Sequence, residues 1–419
     1  MSKLRIGILG FGTVGGGVYK TLKSFDNVEI KKILVRDITR PRNIAPEDKH
    51  LLTDNAQEII TNPEIDVIVE LMGGLEPAGT YIRTALENGK HIVTANKELL
   101  AKQGKELFEL SEKHNKVILY EAAIAGGIPV IMPVKTILAG NKINKIQAIL
   151  NGTTNYILTK MDKDGADYET VLKEAQQMGY AEADPTSDVE GFDTAYKITT
   201  LATIAFGKRV NIDNVYREGI SKIKLEDIKA ANELDHKIKL IALASMDEEG
   251  RADVRVHPML VPNHLTLAHI DYVTNAVEIS GHPIGKTVLS GPGAGEFPTA
   301  SSVVGDILAI SAEFGKTDYI LPMMRCKHSE NAIPVKVDDT INKYYLSITA
   351  PNAIGIIGKI GTICAKKNIS LSSIVQKGVK DDNTANIIVI TELCREADIK
   401  QVIEELNECK INSLIRVAI

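Results

Sequence analysis

The sequence predicts an α/β fold in three parts, and three observations carry that expectation. Short apolar runs alternate with segments of helical spacing from residue 4 to about residue 130, the pattern of a parallel sheet wound on both faces. A cluster of acids and one lysine between residues 179 and 197 interrupts an otherwise apolar middle part. From residue 343 onward, strand and helix signals follow the order βαββαβ. The 419 residues are 44% hydrophobic and 25% charged, enough for several cores in an ordinary globular protein. The net charge of −5 is distributed along the chain, which argues against a nucleic-acid partner or an anionic membrane surface. No apolar run reaches the roughly 18 residues that a membrane helix requires. Residues 1–4 lead into a strand without the apolar core of a signal peptide, so a cytoplasmic location is expected.

The first part opens with an apolar run at 4–9 that ends in Gly10-Phe11-Gly12-Thr13-Val14-Gly15, followed by Val18, Leu22 and Phe25 at helical spacing. In such a strand, turn and helix, Gly10 permits the tight turn and Gly12 lets the backbone approach a pyrophosphate. Gly15 lets helix and strand pack, and the helix N-terminus faces the anion. Further strands are expected at 28–35, 66–72, 91–95 and 117–121, giving a doubly wound Rossmann sheet over residues 1–130. The second strand ends in Arg36-Asp37. Arg36, with Arg40 and Arg42 behind it, suits a 2′-phosphate, whereas Asp37 suits a plain ribose, so the cofactor is NADP or NAD with the balance tilting to NADP.

Two more signals sit at strand ends, where open parallel sheets place ligands. Thr94-Ala95-Asn96-Lys97 puts Lys97 at the start of a helix, either beside the nicotinamide or simply solvated. In the segment from Tyr120 to Pro129, one carboxylate and a loop of small residues suit a hard cation such as sodium, calcium or magnesium rather than zinc. The alternative is a tight loop with a capped glutamate.

In the middle part, helical spacing over 168–178 stops at Gly179, Pro185 breaks the loop, and a second helix is expected over 192–206. Asp193 and Lys197 then share one helical face. Ile198, Leu201, Ala202 and Ile204 are expected to desolvate Lys197, lowering its pKa toward a useful proton-transfer range. The alternative is a surface ion pair one helical turn apart. Residues 151–156 read as a strand-to-helix turn capped by Thr153 or Thr154. His257, His264 and His269 lack zinc spacing and read as loop or packing residues. Cys326, Cys364, Cys394 and Cys409 also lack metal spacing and read as reduced structural thiols.

Together with Tyr-Glu-Ala-Ala at 120–123, Asn-Gly-Thr-Thr-Asn-Tyr-Ile-Leu at 151–158, Arg-Val-His-Pro at 255–258 and Gly-Pro-Gly-Ala-Gly at 291–295, these motifs resemble homoserine dehydrogenase over residues 4 to about 320. The resemblance implies interconversion of L-homoserine and L-aspartate 4-semialdehyde, in threonine, methionine and isoleucine biosynthesis, with a nicotinamide cofactor. It also implies an α+β catalytic and dimerisation domain at 131–298, with a helix at about 299–320 returning to the nucleotide domain, and a homodimer or homotetramer. Position by position, Lys197 resembles the general acid or base and Lys97 a lysine beside cofactor and substrate. Glu182, Asp188 and Asp193 resemble ligands of the substrate ammonium, with orientation of Lys197 as a rival role for Asp193, and the motif at 151–156 resembles one that borders the substrate. Thr94, Gly179 and Gly295 resemble cofactor contacts, although Gly179 also suits a helix C-cap. Glu121, Ile124, Gly126 and Ile128 resemble a sodium site, three of them through backbone oxygen.

Residues 321–342 are polar and read as a linker. The segment 343–419 resembles an ACT domain, with Pro351-Asn352-Ala353-Ile354-Gly355 at the first strand-to-helix turn. The resemblance is to the monofunctional enzyme that carries this module, and it implies threonine as an effector. Asn352 departs from the aspartate common at that turn.

Overall fold

The computed structural model describes residues 3–326, 328–379 and 381–418. Its N-terminal sheet has six parallel strands in the order Leu52–Thr53, Val28–Leu34, Leu4–Leu9, Val67–Glu70, His91–Thr94 and Ile118–Leu119. Ile6, Ile8, Ile68, Val69, Ile92 and Val93 are fully buried, which is why these strands read as unbroken apolar runs rather than alternating ones. The strand order reverses beside Leu4–Leu9, and the glycine turn lies at that switch point. The outer strand Leu52–Thr53 is too short to leave a periodic signal. The strands expected at 66–72 and 117–121 are shorter than anticipated, because Gly73 turns the first out of the sheet with φ of 73° and the helix Ala122–Ala125 begins directly after Glu121.

The helix expected from residue 299 runs over Glu296–Glu313 and packs on the first helix, Thr13–Leu22, completing the nucleotide domain. Gly17 makes that approach possible, since a Cβ there would lie 2.7 Å from the Glu296 carbonyl oxygen. The helix starts early because Gly295, at φ of 119°, forms its entry and Pro298 fits its first turn.

In the middle domain, the strands Gly285–Pro292, Thr274–His282, Lys142–Ile149, His236–Met246 and Arg251–Pro262 follow one another in an antiparallel sheet. The apolar helix Phe192–Phe206 lies against this sheet on one side and against the helix Lys97–Lys113 of the nucleotide domain on the other. The main core accordingly runs through both domains without a break.

The C-terminal unit has the expected βαββαβ order: Ile341–Pro351, Ile356–Lys366, Leu371–Val379, Thr384–Thr391, Glu396–Glu405 and Lys410–Val417, around its own core of Tyr344, Leu346, Ile348 and Ile387. It differs from the expectation of a tethered module in two ways. Lys410–Val417 pairs in parallel with Arg251–Pro262 at Met259–Arg416 and Leu260–Val417, so one twelve-stranded sheet crosses both domains. The segment read as a linker at 321–342 is a docked strap. The Arg325 guanidinium stacks 3.7 Å from the Tyr319 ring centroid and pairs with Glu112 at 3.2 Å, and Ile333–Pro334 adds to the strand Arg251–Pro262. Buried Arg325 and Thr340 mark its contacts, while Ser329, Glu330, Asn331, Lys336, Asp338 and Asp339 are exposed.

Candidate active site

Two cavities of about 380 and 490 Å³ meet over Phe11 and Gly12. Thr13 and Glu296 line the first, and Gly10, Arg36 and Met72 line the second, while Arg40 and Arg42 line both. Gly10 has φ of 103°, a Cβ on Gly15 would lie 2.3 Å from the Gly10 oxygen, and a Cβ on Gly12 would project into open space. The three glycines thus do what their spacing implies: one turns, one keeps the approach open and one packs. Val14 turns inward onto the core. The Asp37 carboxylate closes its own turn by accepting from the Thr39 amide at 2.8 Å and the Thr39 hydroxyl at 2.6 Å, while Arg36, Arg40, Arg42 and Asp54 line the second cavity.

At the far end of the sheet, Asn96 caps the helix Lys97–Lys113 by accepting from the Leu99 amide at 3.1 Å, and Lys97 is the first helical residue. The Thr94 hydroxyl donates to Glu70 at 2.6 Å and accepts from the Asn96 amide at 3.0 Å, so its side chain shapes the loop. Glu70 is fully buried and also accepts from the Met72 and Gly73 amides.

The structure brings Lys97, Asp188, Asp193 and Lys197 together. Asp193 sits in the first turn of Phe192–Phe206 with its side chain only 4% exposed. Its Oδ2 pairs with the Lys197 ammonium at 2.7 Å and its Oδ1 with that of Lys97. Lys197 also donates to the Leu150 carbonyl at 2.8 Å, and Asn151 bridges Asp188 at 2.7 Å and Asp193 at 3.1 Å. Burial pulls the Lys197 ammonium below the ordinary lysine range, with Asp193 opposing and Lys97 adding to the effect. Partial burial works against the charge on Lys97, whose side chain is 42% exposed. Asp193 overrides it, with Asp188 and Glu182 in support, and its pKa is raised. Burial alone would raise Asp193, yet the two ammonium groups hold its carboxyl well below the usual range. Burial lifts Asp188, against the hydrogen bond from Asn151.

These contacts bear on several of the sequence expectations. Both carboxylate oxygens of Asp193 pair with lysines, the geometry of the orienting role that the sequence offered beside a substrate contact. The Asp193–Lys197 pair is buried rather than superficial. The cap of the helix Gly152–Asp164 is Asn151 and not Thr153 or Thr154. Glu182 lies exposed on the loop above the cluster, while Gly179 ends the helix Tyr168–Gln177 with φ of 76°. In the loop of Glu121, Ile124, Gly126 and Ile128, the Glu121 carboxylate accepts from the Val130, Ile131 and Met132 amides, and the Gly126 carbonyl accepts from Ser302. Burial would raise the Cys326 thiol, but Lys135 at 2.8 Å, with His328, brings it down to about 7.

Sequence reasoning missed the Leu150 carbonyl and Glu70, and it gave Asn151 only as part of the motif at 151–156. Asn151 carried a signal, being an asparagine between a strand and a helix, but its amide reaches two carboxylates that only the fold brings near.

Residues 129–308 match the family model described as homoserine dehydrogenase, residues 10–121 its NAD binding domain, and residues 344–410 the ACT domain. The chain is 41% identical to the homoserine dehydrogenase of Synechocystis, across 99% of both chains. The crystal structure of a homoserine dehydrogenase from Thiobacillus denitrificans superposes with a TM-score of 0.92 at 36% identity, covering 100% of this chain and 99% of that one. A hyperthermophilic archaeal homoserine dehydrogenase in complex with NADPH matches 74% of this chain and 98% of its own, with a TM-score of 0.64 at 26% identity.

Asp193→Asn leaves buried Lys197 and half-buried Lys97 with one neutral partner, so a loss of about 3–5 kcal/mol of stability is expected by urea denaturation at neutral pH. A carboxyl whose folded pKa is depressed contributes stability above its unfolded value, and that stability is lost as pH falls through the folded one. The gap between wild type and variant should therefore narrow below about pH 4; a gap that widens there would contradict the pairing.

Proposed function

The chain belongs to the homoserine dehydrogenase family, and from that premise we propose that it interconverts L-homoserine and L-aspartate 4-semialdehyde, with NADPH as the preferred reductant. The observation that carries the chemistry is the single buried carboxylate of Asp193 held between Lys197 and Lys97. When bound, the nicotinamide supplies or accepts the hydride at C4 of the substrate. Lys197 moves the proton at the C4 oxygen: its depressed pKa eases release of the proton during reduction, and Asp193 and the Leu150 carbonyl fix its direction. Lys97 keeps its proton because its pKa is raised, so it acts as a fixed positive charge toward the oxygen on which negative charge develops. Asp188, which commits only Oδ1 to Asn151, and Glu182 on the loop above are the carboxylates available to the substrate ammonium. The leaning to NADPH rests on Arg36, Arg40 and Arg42 beside the second cavity and on Asp37 being engaged in its own turn. A related archaeal enzyme solved with NADPH supports the same reading.

The second part of the proposal is control by threonine through the C-terminal domain. Its turn at Pro351–Gly355 stands open, with Ile354 fully exposed and the Asn352 amide bonded to the Asn383 carbonyl at 3.0 Å.

Oxidation of NADPH and of NADH with L-aspartate 4-semialdehyde tests the first part in wild type, Lys197→Ala and Arg36→Ala. Turnover should fall by roughly 10²–10⁴ in Lys197→Ala, and Arg36→Ala should raise KM for NADPH much more than for NADH. Wild-type turnover surviving in Lys197→Ala would refute the proton role, and an unchanged NADPH preference in Arg36→Ala would refute the arginine reading. For the second part, excess L-threonine should lower the activity of the full chain, and unchanged kinetics would count against it.

A further inference from the structure

Glu70 is a buried carboxylate that the proposed chemistry leaves unused. It ends the central strand Val67–Glu70, opposite Leu9 on one side and Thr94 on the other, and it is fully buried. No lysine, arginine or histidine pairs with it among the described residues, and neutral donors fill both of its oxygens. A carboxylate at that depth is costly to desolvate and needs several donors converging on it.

The donors come from two loops. Oε1 accepts from the Met72 amide at 2.8 Å and the Gly73 amide at 3.1 Å, and Oε2 accepts from the Thr94 hydroxyl at 2.6 Å. The Thr94 oxygen accepts in turn from the Asn96 amide at 3.0 Å, and the Asn96 side-chain amide donates back to the Gly74 carbonyl at 2.7 Å. These bonds close a ring through the segments 71–74 and 94–97. Gly73 and Gly74 both have φ of 73°, and glycine has more conformational freedom to lose than any other residue, so the first segment depends on such a tether to keep one shape.

Each segment carries a functional surface. Leu71 and Met72 line the second cavity, and the Leu71 oxygen lies against the glycine turn, 2.9 Å from where a Cβ on Gly10 would stand. The other segment ends on Lys97, which Asn96 places by capping its helix. A shift in the ring would therefore move the cavity wall and the Lys97 ammonium together. An isosteric amide at position 70 cannot close the same ring, because its nitrogen has no lone pair for the Thr94 hydroxyl.

We propose that Glu70 is a positioning residue: through the ring with Thr94 and Asn96 it sets both the cofactor-facing wall at Leu71 and Met72 and the placement of Lys97 against Asp193. The role rests on the dehydrogenase reading given above.

Glu70→Gln in the full chain tests it with two readouts that need no turnover, NADPH binding followed by the cofactor's fluorescence and NMR titration of the Lys97 ε-carbon. NADPH should bind roughly tenfold or more weakly than to wild type. Lys97, which Asp193 holds above its ordinary range, should titrate closer to the usual value of about 10.4. Misplacement of this kind should also lower kcat by on the order of 10²-fold. Thr94→Val breaks the ring from its far side and carries the test should Glu70→Gln fail to fold, while the conservative Thr94→Ser keeps the hydroxyl and should retain both readouts. Because the two residues act through one ring, the double variant Glu70→Gln/Thr94→Val should bind NADPH no more weakly than the weaker single variant. Unchanged NADPH binding would overturn the role at the cavity wall, and unchanged Lys97 titration would overturn the link between the two segments. Additive losses in the double variant, or loss of both readouts in Thr94→Ser, would overturn the ring as the route. Since neither readout requires turnover, a wild type that binds NADPH but does not reduce L-aspartate 4-semialdehyde would count against the proposed reaction and not against this role.

Discussion

One buried carboxylate organises the centre of this protein. Asp193 holds an ammonium group on each of its oxygens, one from its own helix and one from the first turn of a helix in the nucleotide domain. A charged carboxylate at that depth is tolerable only with such partners, and the lysines in turn need it. The arrangement therefore fixes the distance between cofactor domain and catalytic domain with the same atoms that set the protonation of the two lysines. Lys197, the more buried, loses its proton more easily than an ordinary lysine, while Lys97, partly open to water and facing three carboxylates, holds its proton more tightly. Two identical side chains acquire a proton-transfer role and an electrostatic role from their surroundings alone.

Much of the scaffold was legible in the chain because the relevant signals are local. The glycine turn, the unbroken apolar runs of Leu4–Leu9 and Val67–Glu70, and the alternating units of the C-terminal domain each reflect a geometry that a few neighbouring residues impose. The burial of Lys197 was also legible, since Ile198, Leu201 and Ala202 surround it at helical spacing and all are buried. The role of Asp193 was legible only in part. Its link to Lys197 lies one turn away on the same helix, but its link to Lys97 depends on two domains meeting, and no local pattern records that. Asn151 is hidden for the same reason, being an ordinary helix cap whose second function lies on the side away from its own helix.

The strap at 321–342 shows a different limit. Polar residues in a row read as solvated chain, yet Arg325 is buried and Cys326 sits between Tyr120 and Lys135. A polar group that finds its partner on another domain has the same composition as one that finds water. The strap and the strand Lys410–Val417 together anchor the C-terminal domain to the catalytic sheet at two places, so that domain is a structural neighbour of the turn before Asp193 rather than a tethered accessory.

The split between the two lysines is the central claim, and it is measured most directly by NMR titration of the lysine ε-carbons in the full chain, with the two resonances assigned from their loss in Lys197→Arg and Lys97→Arg. The account predicts that Lys197 titrates below, and Lys97 above, the ordinary lysine value of about 10.4. Two lysines titrating together near that value, or in the reverse order, would contradict it.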